Sequence, residues 1–437
     1  MVLVVTGLDQ AEPLETKAES DLMAQVVGRE NMRKAYVRVL RNAGSAGVDN
    51  LTVSELGDHL RAHWSSIKSK LLAGQYQPQP VRRVMIAKPN GGERQLGIPT
   101  VLDRLIQQAL HQVLSPLFEE TFSDHSYGFR PGRSAHQAVQ RAEVYVKSDF
   151  KWVVDVDLEN FFDQVNHDIL MSRIERKIED KRILKLIRKY LKVGVMVDGA
   201  VSPRSEGTPQ GGPLSPLLSN ILLTDLDREL EQRGHCFVRY ADDVMLYVKS
   251  ERAGQRVLSN LKRFIETRLK LRVNEHKSAV APSSKRPYLG YLISARGLWV
   301  SRQSVTRLVT KIRQVLSGAR GRSLRSSIEE LNPILRGWAA YFKFATNKSS
   351  LDRLDGWVRR RLRCILWRHW KRPRTRERAL RALGLSAERA WRSSVNGRGP
   401  WWNAGASHMN QAVSISRFAS WGLVSVLATV GRLQRVS

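Results

Sequence analysis

Two adjacent carboxylates, Asp242 and Asp243, stand between two apolar, β-rich runs and constrain the fold more than any other feature of this chain. The flanking residues 237–241 and 244–248 have the composition of two strands joined by a tight break, which predicts a β-hairpin. Like charges side by side repel each other and are costly to remove from water. A divalent cation that prefers hard oxygen ligands, Mg²⁺ or Mn²⁺, would remove that cost. For the pair alone, a solvated turn is the alternative.

A second acidic segment ends an apolar, β-branched run that starts near Trp152. Side chains alternate along a strand, so Asp155 and Asp157 would share one face, and one of them could meet the hairpin aspartates. Three carboxylates around a pair of metal ions are typical of phosphoryl-transfer enzymes. We therefore predict that Asp242, Asp243 and one of these two acids are catalytic metal ligands.

Phe162 follows Asp157 by five residues, which would put a flat ring against the sugar of a bound nucleotide. Together with Tyr240–Asp243, this block resembles the palm of a reverse transcriptase. Further segments resemble the bacterial group II intron-encoded reverse transcriptase/maturase family, in the family's order: Gly44–Asp49, Ile86–Pro99, Ser126–Arg133, Gly207–Pro216, Asn274–Lys277, Tyr288–Tyr291 and Leu331–Phe342. The resemblance covers roughly residues 25–430.

The resemblance implies an α+β fold with a right-hand polymerase architecture: fingers and a palm with an antiparallel sheet and helices, a helical thumb, and a small basic C-terminal domain. The implied domains are a flexible leader (residues 1–24), an N-terminal extension (25–80), the fingers and palm (81–296), a thumb with maturase helices (297–370) and a basic nucleic-acid-binding region (371–437). Apolar spacing and segment boundaries predict helices at about 101–117, 217–231, 305–316, 324–346 and 351–370.

The implied activity is RNA-directed DNA polymerisation, in which two Mg²⁺ ions, with Mn²⁺ as a possible substitute, assist nucleotide transfer from a dNTP to a primer on an RNA template. The metal ligands that the resemblance implies are Asp157, Asp242 and Asp243, with Asp155 as a structural acid. The implied second role is that of a maturase, which binds its group II intron RNA for splicing and then copies it at a target DNA. Two other interpretations are a reverse transcriptase in another role, such as phage defence, and a catalytically silent RNA-binding maturase. Many relatives carry a Cys/His-rich endonuclease domain. With only Cys236 and Cys364, this sequence predicts no second-strand cleavage.

Residues 81–98 are predicted to form a hairpin, because Asn90-Gly91-Gly92 favours a tight turn. Lys88 and Arg94 flank that turn on opposite strands, so both cations would point to one spot. By resemblance, this is where the fingers hold the incoming triphosphate, with Lys as a point charge and Arg as a fork. Cations that merely keep an exposed hairpin soluble are the alternative.

Gln210 lies in a loop, residues 207–216, that is too rich in Gly and Pro for a helix or a central strand. By resemblance, Gln210 would face the nascent base pair, Lys277 would contact the substrate, and Phe162 would exclude the 2′-hydroxyl of a ribonucleotide by its bulk. His167 is expected to be a capping or surface group.

The charge of the chain is strongly positive and uneven. There are 72 Lys and Arg against 41 Asp and Glu, a net charge of +31, and residues 301–437 contribute +22 of it together with 8 of the 11 Trp. Basic side chains interleaved with Trp suit phosphate neutralisation and stacking on unpaired bases, and a solvated helical surface is the alternative. The candidate nucleic-acid-binding residues are Arg359, Arg360, Arg361, Arg363, Lys371, Arg372 and Arg398.

No segment predicts a membrane location. The N-terminal apolar run is followed by acids and lacks a basic start, and the apolar stretch at about 421–430 is too short to span a bilayer. Few cysteines suit a reducing compartment. Together with the family resemblance, these features predict a cytoplasmic, nucleoid-associated bacterial protein, and the oligomeric state is left open.

Overall fold

The computed structural model of the chain describes residues 21–87, 93–197, 200–202, 207 and 211–436. Its helices are α1 (Leu22–Val26), α2 (Arg29–Asn42), α3 (Leu56–Leu72), α4 (Val101–Glu119), α5 (Ala135–Lys147), α6 (His167–Glu175), α7 (Lys181–Lys192), α8 (Ser215–Gln232), α9 (Glu251–Phe264), α10 (Arg302–Ser317), α11 (Leu324–Tyr341), α12 (Lys348–His369), α13 (Pro373–Ala382), α14 (Ala387–Ser394), α15 (Pro400–Gly405), α16 (Ser407–Ala412), α17 (Ile415–Ser420) and α18 (Val426–Val436).

The strands are β1 (Val81–Ala87), β2 (Glu93–Ile98), β3 (Trp152–Val156), β4 (Val195–Val197), β5 (Ala200–Ser202), β6 (Cys236–Tyr240), β7 (Asp243–Val248), β8 (Ala279–Pro282), β9 (Tyr291–Ser294) and β10 (Gly297–Val300). Short 3₁₀ turns occupy Phe161–Asp163, Ser283–Lys285 and Gly318–Gly321, and a π-helical turn occupies Ile265–Leu269.

The described residues divide into two units, each with its own apolar core. The first unit contains the described residues up to Ala138 together with Trp152–Val280. The second contains Val139–Lys151 together with the described residues from Ala281 onwards.

Two four-stranded sheets carry eight of the described strands, in the orders β2-β1-β4-β5 and β6-β7-β3-β8. In the first sheet, β1 and β4 are parallel, whereas β1–β2 and β4–β5 are antiparallel. In the second sheet, β7 is antiparallel to both of its neighbours, β6 and β3. An antiparallel sheet can leave one face open. Here residues on both faces of β7 are buried, Val244 and Leu246 on one face and Met245 and Tyr247 on the other.

The helices α4 and α8 belong to the core of the first unit. Thr100 caps α4, because its hydroxyl oxygen accepts a hydrogen bond from the amide of Asp103 at 3.1 Å. Pro216 lies in the first turn of α8, a position that proline tolerates. Helix α8 is buried along most of its length and packs against β6, so its polar residues Asn220 and Asp227 are removed from water.

The second unit contains the β9–β10 hairpin and the helices α10–α18. Its core lies among α10, α11 and α12, where Leu308, Leu335 and Leu362 are buried. The carboxylate of Asp355 on α12 accepts hydrogen bonds from the amides of Val426 at 2.9 Å and Leu427 at 3.1 Å, and so caps the start of α18.

The mixed helix and sheet content confirms the predicted α+β class. The five predicted helices correspond to α4, α8, α10, α11 and α12. Helix α11 ends at Tyr341, five residues earlier than predicted. Thr346, which lies beyond it, donates its amide to the carbonyl of Leu298 on β10.

The predicted leader extends too far. Helix α1 begins at Leu22, and the buried Met23 donates its amide to a carboxylate oxygen of Asp180 at 3.0 Å. The other predicted domain boundaries remain predictions. None of the described helices combines the length and the apolar composition that crossing a membrane requires.

Candidate active site

The register of β3 and β7 brings the two acidic segments together. Val156 is paired with Val244 at the end of the ladder, so Asp157 follows β3 at the level where Asp243 begins β7. Asp155 is paired with Met245. Since side chains directly across a ladder share a face, Asp155, Asp157 and Asp243 lie on one side of the sheet.

The opposite face of the same strands is apolar. Val154, Val156, Val244 and Leu246 are all buried in the core of the first unit. A shift of the register by one residue would turn the acids into that core, so the alternation that buries the valines also keeps the carboxylates on the other face.

Asp242 reaches the site from the hairpin turn. Tyr240 and Asp243 form the last pair of β6 and β7, which leaves Ala241 and Asp242 as a two-residue loop. Ala241 has φ 59° whereas Asp242 does not lie in the left-handed region, which is the pattern of a type II′ turn. Ala at this φ is strained, and such strain persists where surrounding contacts impose it.

The carboxylates influence one another electrostatically. Burial, followed by the charges of Asp155, Asp242 and Asp157, raises the pKa of Asp243 to about 7. Burial is also the main cause that raises the pKa of Asp242, and the charge of Asp157 adds to it. This concentration of negative charge in a partly desolvated place favours a bound cation.

Lys277 lies at the edge of this cluster, with its Nζ 3.5 Å from Oδ2 of Asp157. The neighbouring residues hold the backbone of Asp157: its amide donates to Oγ of Ser278 at 3.0 Å, and its carbonyl accepts from the amide of Asn274 at 2.8 Å. The segment Asn274–Ser278 therefore fixes the position of Asp157, a role that the sequence did not indicate.

Arg239 supports the turn from the face of the sheet opposite the acids. It is fully buried, and its Nε and Nη2 donate to the two carboxylate oxygens of Asp227 on α8, at 2.7 and 2.5 Å. Its Nη1 donates to the carbonyl of Ala241 and to Oδ1 of Asn220, each at 2.9 Å. A charged residue within an apolar strand indicates a buried partner, but the sequence does not identify which one.

Gly128 lies directly against the turn. A Cβ atom at this position would be 2.3 Å from the amide nitrogen of Ala241, so a larger residue cannot be accommodated without moving the backbone. The carbonyl of Gly128 accepts a hydrogen bond from Nδ2 of Asn220 at 2.9 Å. Asn220 thus links this segment to Arg239.

Phe162 lies in the 3₁₀ turn after Asp157, half-buried, with its ring 5.2 Å from the ring of Phe161 in an edge-on arrangement. Gly207, at φ 89°, packs against the backbone here, and a Cβ at this position would lie 2.9 Å from the carbonyl oxygen of Phe162.

The expectation for His167 was wrong. The residue is buried, and its Nε2 donates to the carbonyl of Gly207 at 2.7 Å. The cap of α6 is Asn166 instead, whose side chain accepts from the amide of Ile169. His167 therefore holds Gly207 in place.

Three of the predicted substrate contacts remain predictions. Lys88 and Gln210 lie outside the described residues. The backbone of Arg94 is paired with Ile86 in the β1–β2 hairpin, and its side chain is not described.

The predicted nucleic-acid contacts differ in exposure. Lys371, Arg372 and Arg398 are exposed, whereas Arg359, Arg360 and Arg361 are half-buried. Arg363 is buried, and its Nε and Nη2 both donate to the carbonyl of Val413, at 2.9 and 2.8 Å. Burial, followed by the charge of Arg359, lowers the pKa of Arg363 to about 10. The expectation that Arg363 contacts nucleic acid was therefore wrong, because its guanidinium is buried and hydrogen-bonded within the protein.

Arginines and tryptophans alternate on one part of the second unit. The Arg360 guanidinium lies 4.3 Å from the ring centre of Trp401, and Arg398 lies 5.2 Å from that of Trp402. Trp401 and Trp402 are 39% and 49% exposed. Aromatic faces beside exposed cations can bind the bases and phosphates of a nucleic acid.

Among the described residues, no three acidic, His or Cys side chains stand close enough to enclose a metal ion in this conformation. The donor set nevertheless fits a hard divalent cation, since carboxylate oxygens are the ligands that Mg²⁺ and Mn²⁺ prefer. Burial, and then the charges of three neighbouring carboxylates, raise the pKa of Asp243, so a cation would relieve an unfavourable negative charge there.

Comparisons with known proteins agree with this geometry. Residues 86–293 match the family model of reverse transcriptase (RNA-dependent DNA polymerase), and residues 305–384 match that of the group II intron, maturase-specific domain. YkfC of Escherichia coli (strain K12) is 35% identical, over 55% of this chain and 73% of that protein. The group II intron-encoded protein LtrA of Lactococcus lactis subsp. cremoris is 32% identical, over 61% of this chain and 54% of that protein.

This chain therefore spans about half the length of LtrA. A solved structure described as a partial Cas6-RT-Cas1–Cas2 complex is 26% identical over 56% of this chain and 42% of that chain, with a TM-score of 0.38, which is too low to carry an argument. The two family models and the extensive identity to YkfC identify the chain as a member of the group II intron-encoded reverse transcriptase/maturase family.

Proposed function

We propose that this chain is an RNA-directed DNA polymerase, and that Asp157, Asp242 and Asp243 hold its catalytic metal ions. The register of the antiparallel strands β3 and β7 supports this most directly. Asp157 directly follows the last paired residue of β3, and Asp243 begins β7 beside it. The raised pKa of Asp243 supports it further, because burial and then the charges of Asp155, Asp242 and Asp157 cause that rise. The family's activity is consistent with that assignment.

The reaction would join the 3′-oxygen of the primer to the α-phosphorus of a dNTP, with pyrophosphate as the leaving group. Bound Mg²⁺, or Mn²⁺ in its place, would supply Lewis acidity to the 3′-hydroxyl and to the leaving phosphate oxygens. The carboxylates of Asp157, Asp242 and Asp243 would hold the metal ions beside the reacting atoms. Lys277, 3.5 Å from Asp157, would limit the repulsion among the acids when the metal is absent.

The remaining contacts would select the substrate. Phe162 would meet the sugar and reject a ribonucleotide by its bulk. Lys88 and Arg94 would bind the triphosphate, and Gln210 would lie against the new base pair. His167 supports this arrangement indirectly, since it fixes Gly207 against the backbone of Phe162.

Extension of a DNA primer on an RNA template, with and without Mg²⁺, tests the proposal. The Asp242→Asn variant keeps the size of the side chain and removes its charge, and it should lower the rate more than about a hundredfold. Asp163→Asn is the matched control, because that acid is exposed and lies near the site. A wild-type protein that extends no primer, or an Asp242→Asn variant that remains active, would refute the assignment.

We also propose that the chain binds group II intron RNA as a maturase and acts at a target DNA. The Arg–Trp surface around Trp401 and Trp402 and the net charge of +22 over residues 301–437 support binding to a polyanion with unpaired bases. The maturase-specific match at residues 305–384 supports the identity of that RNA.

Splicing of the intron RNA in the presence of the protein tests this second role separately. The Asp242→Asn variant should still bind the RNA and assist splicing, because the changed carboxylate contributes to chemistry and not to the basic surface. If the wild-type protein assists splicing but extends no primer, the chain is a catalytically silent maturase.

A further inference from the structure

Phe129 is an exposed aromatic residue in a strained conformation. Its φ is 59°, in the left-handed region that a bulky L-residue rarely adopts, and it is 52% exposed. A single exposed apolar side chain needs no explanation by itself. One that is held in a strained backbone conformation does, because such strain persists only where surrounding contacts impose it.

The neighbours of Phe129 impose that conformation. On one side, the amide of Tyr127 donates to the carbonyl of Arg239 at 2.8 Å. On the other side, the buried Arg130 pairs with Glu119 at 2.8 Å and donates to the carbonyl of Ser126 at 2.8 Å. The segment is therefore fixed at both ends, and the ring between them remains exposed.

Phe129 also stands next to the carboxylate site. Its ring centre is 6.4 Å from that of Tyr240, and the planes are tilted by 41°. Tyr240 is paired with Asp243, so the two side chains share the face of the sheet that carries the acids. The two rings thus border the site on the β6 side.

Phe162 borders the site from the other direction. It follows β3, and β7 lies between β3 and β6 in the sheet. The carboxylates of Asp157 and Asp243 are therefore located between an aromatic residue on the β3 side and the Phe129–Tyr240 pair on the β6 side. A nucleotidyl transfer needs two nucleotides at the metal site, one on each side of the bond that forms.

We propose that Phe129, together with Tyr240, forms the stacking surface for the 3′-terminal nucleotide of the primer strand. The proposal rests on the proposed polymerase function, which assigns the Phe162 side to the incoming dNTP. A phenyl ring offers an apolar face without hydrogen-bonding groups, so it would bind the base or sugar of any primer end regardless of sequence.

Photochemical crosslinking tests this contact without any catalysis. A primer with 5-iododeoxyuridine at its 3′ end is annealed to an RNA template, mixed with the full chain in the absence of dNTPs, and irradiated. Mass spectrometry should locate the crosslink at residue 129 or 240. The same primer with the label ten nucleotides away from the end serves as the control for position.

Four variants separate a binding role from a structural one. Phe129→Asn and Phe129→Gly suit the left-handed conformation and remove the ring. They should raise the melting temperature, raise the KM for the primer about tenfold, and leave the KM for dNTP unchanged. Phe129→Tyr should keep the wild-type primer KM. Lys270→Gly, at an exposed residue with φ 56° in the same unit, should raise the melting temperature without affecting the primer.

Higher stability combined with weaker primer binding in Phe129→Asn and Phe129→Gly would show that the Phe129 ring serves contact with the primer and not stability. An unchanged primer KM in Phe129→Asn, a loss of stability in both ring-deleting variants, or a terminal crosslink that maps away from residues 129 and 240 would each overturn the proposal. A wild-type protein that crosslinks at residue 129 but extends no primer would refute the polymerase function and retain the contact.

Discussion

Arg239 and Asp227 form an ion pair in which both side chains are fully buried, and the same guanidinium holds the carbonyl of Ala241 in the turn that carries Asp242 and Asp243. Burial raises the pKa of Asp227, and the charge of Arg239 opposes that shift. Buried pairs contribute little net stability because desolvation offsets their attraction. The pair therefore matters mainly because it fixes the turn and because the loss of one partner leaves the other charge buried.

Replacing Asp227 with Asn should lower the free energy of unfolding by about 3–5 kcal/mol, since the buried Arg239 loses its counter-charge. Asp225→Asn is the matched control on the same helix. Its partner is Arg173, and the side chains of that pair are 21% and 20% exposed, so its loss should cost about 1 kcal/mol or less. Urea unfolding of both variants measures the difference, and equal losses would contradict a special role for the buried pair.

Gly128→Ala should disable primer extension while the protein remains folded. The added Cβ would stand 2.3 Å from the amide of Ala241, so the turn must move, and displaced carboxylates should lower kcat about a hundredfold. Gly431→Ala is the control, because nothing lies within 4 Å of its Cβ in α18 and alanine favours a helix. A Gly128→Ala variant with normal kcat would mean that the turn tolerates displacement.

Asp243→Asn should stabilise the metal-free protein at pH 8 and have little effect at pH 4. The pKa of Asp243 is raised from 3.8 to about 7 in the folded state, so folding is favoured at low pH and loses stability as the pH rises towards 7. Asn removes the ionisation, and its benefit at pH 8 should reach up to about 4 kcal/mol. Thermal unfolding in a chelator, repeated with added Mg²⁺, measures this. A benefit that does not depend on pH would argue against the charge as its cause.

Arg398→Ala should weaken RNA binding and reduce the slope of log affinity against log salt by about 0.7–1, because one exposed phosphate contact is lost. Arg363→Gln should leave that slope unchanged and lower stability, because the Arg363 guanidinium is bonded to Val413 within the fold. Filter binding over a salt series distinguishes them. A smaller slope for Arg363→Gln in a folded protein would contradict the burial seen for that residue.

The hairpin and the acidic face could be predicted from the sequence, because strand alternation alone determines which side chains share a face. Asp155 and Asp157 are two residues apart, and Asp242 and Asp243 adjoin a strand with the same pattern. The same reasoning applies to α4 and α8, whose apolar spacing is local information. The pairing of β3 with β7, which brings the two acidic segments together, is a long-range contact that alternation alone does not determine.

The support beneath the turn could not be predicted in this way. The contacts of Arg239 with Asp227 and Asn220 depend on how α8 packs against β6. The close approach of Gly128 to Ala241 depends on a segment more than a hundred residues earlier in the chain. Arg363 was misassigned because it follows a basic run in the sequence, whereas the helical rotation directs it inward.

The hydrogen bond from the amide of Asp157 to Oγ of Ser278 joins residues 121 positions apart in the chain. When the ribosome has just synthesised the β6–β7 hairpin, all the acids of the site are present. The residues that hydrogen-bond to the backbone of Asp157 have not yet been made. The site can reach its final shape only after residue 278 has left the exit tunnel. A prematurely terminated chain that stops between the hairpin and Asn274 would carry every acid of the cluster without the segment that fixes Asp157.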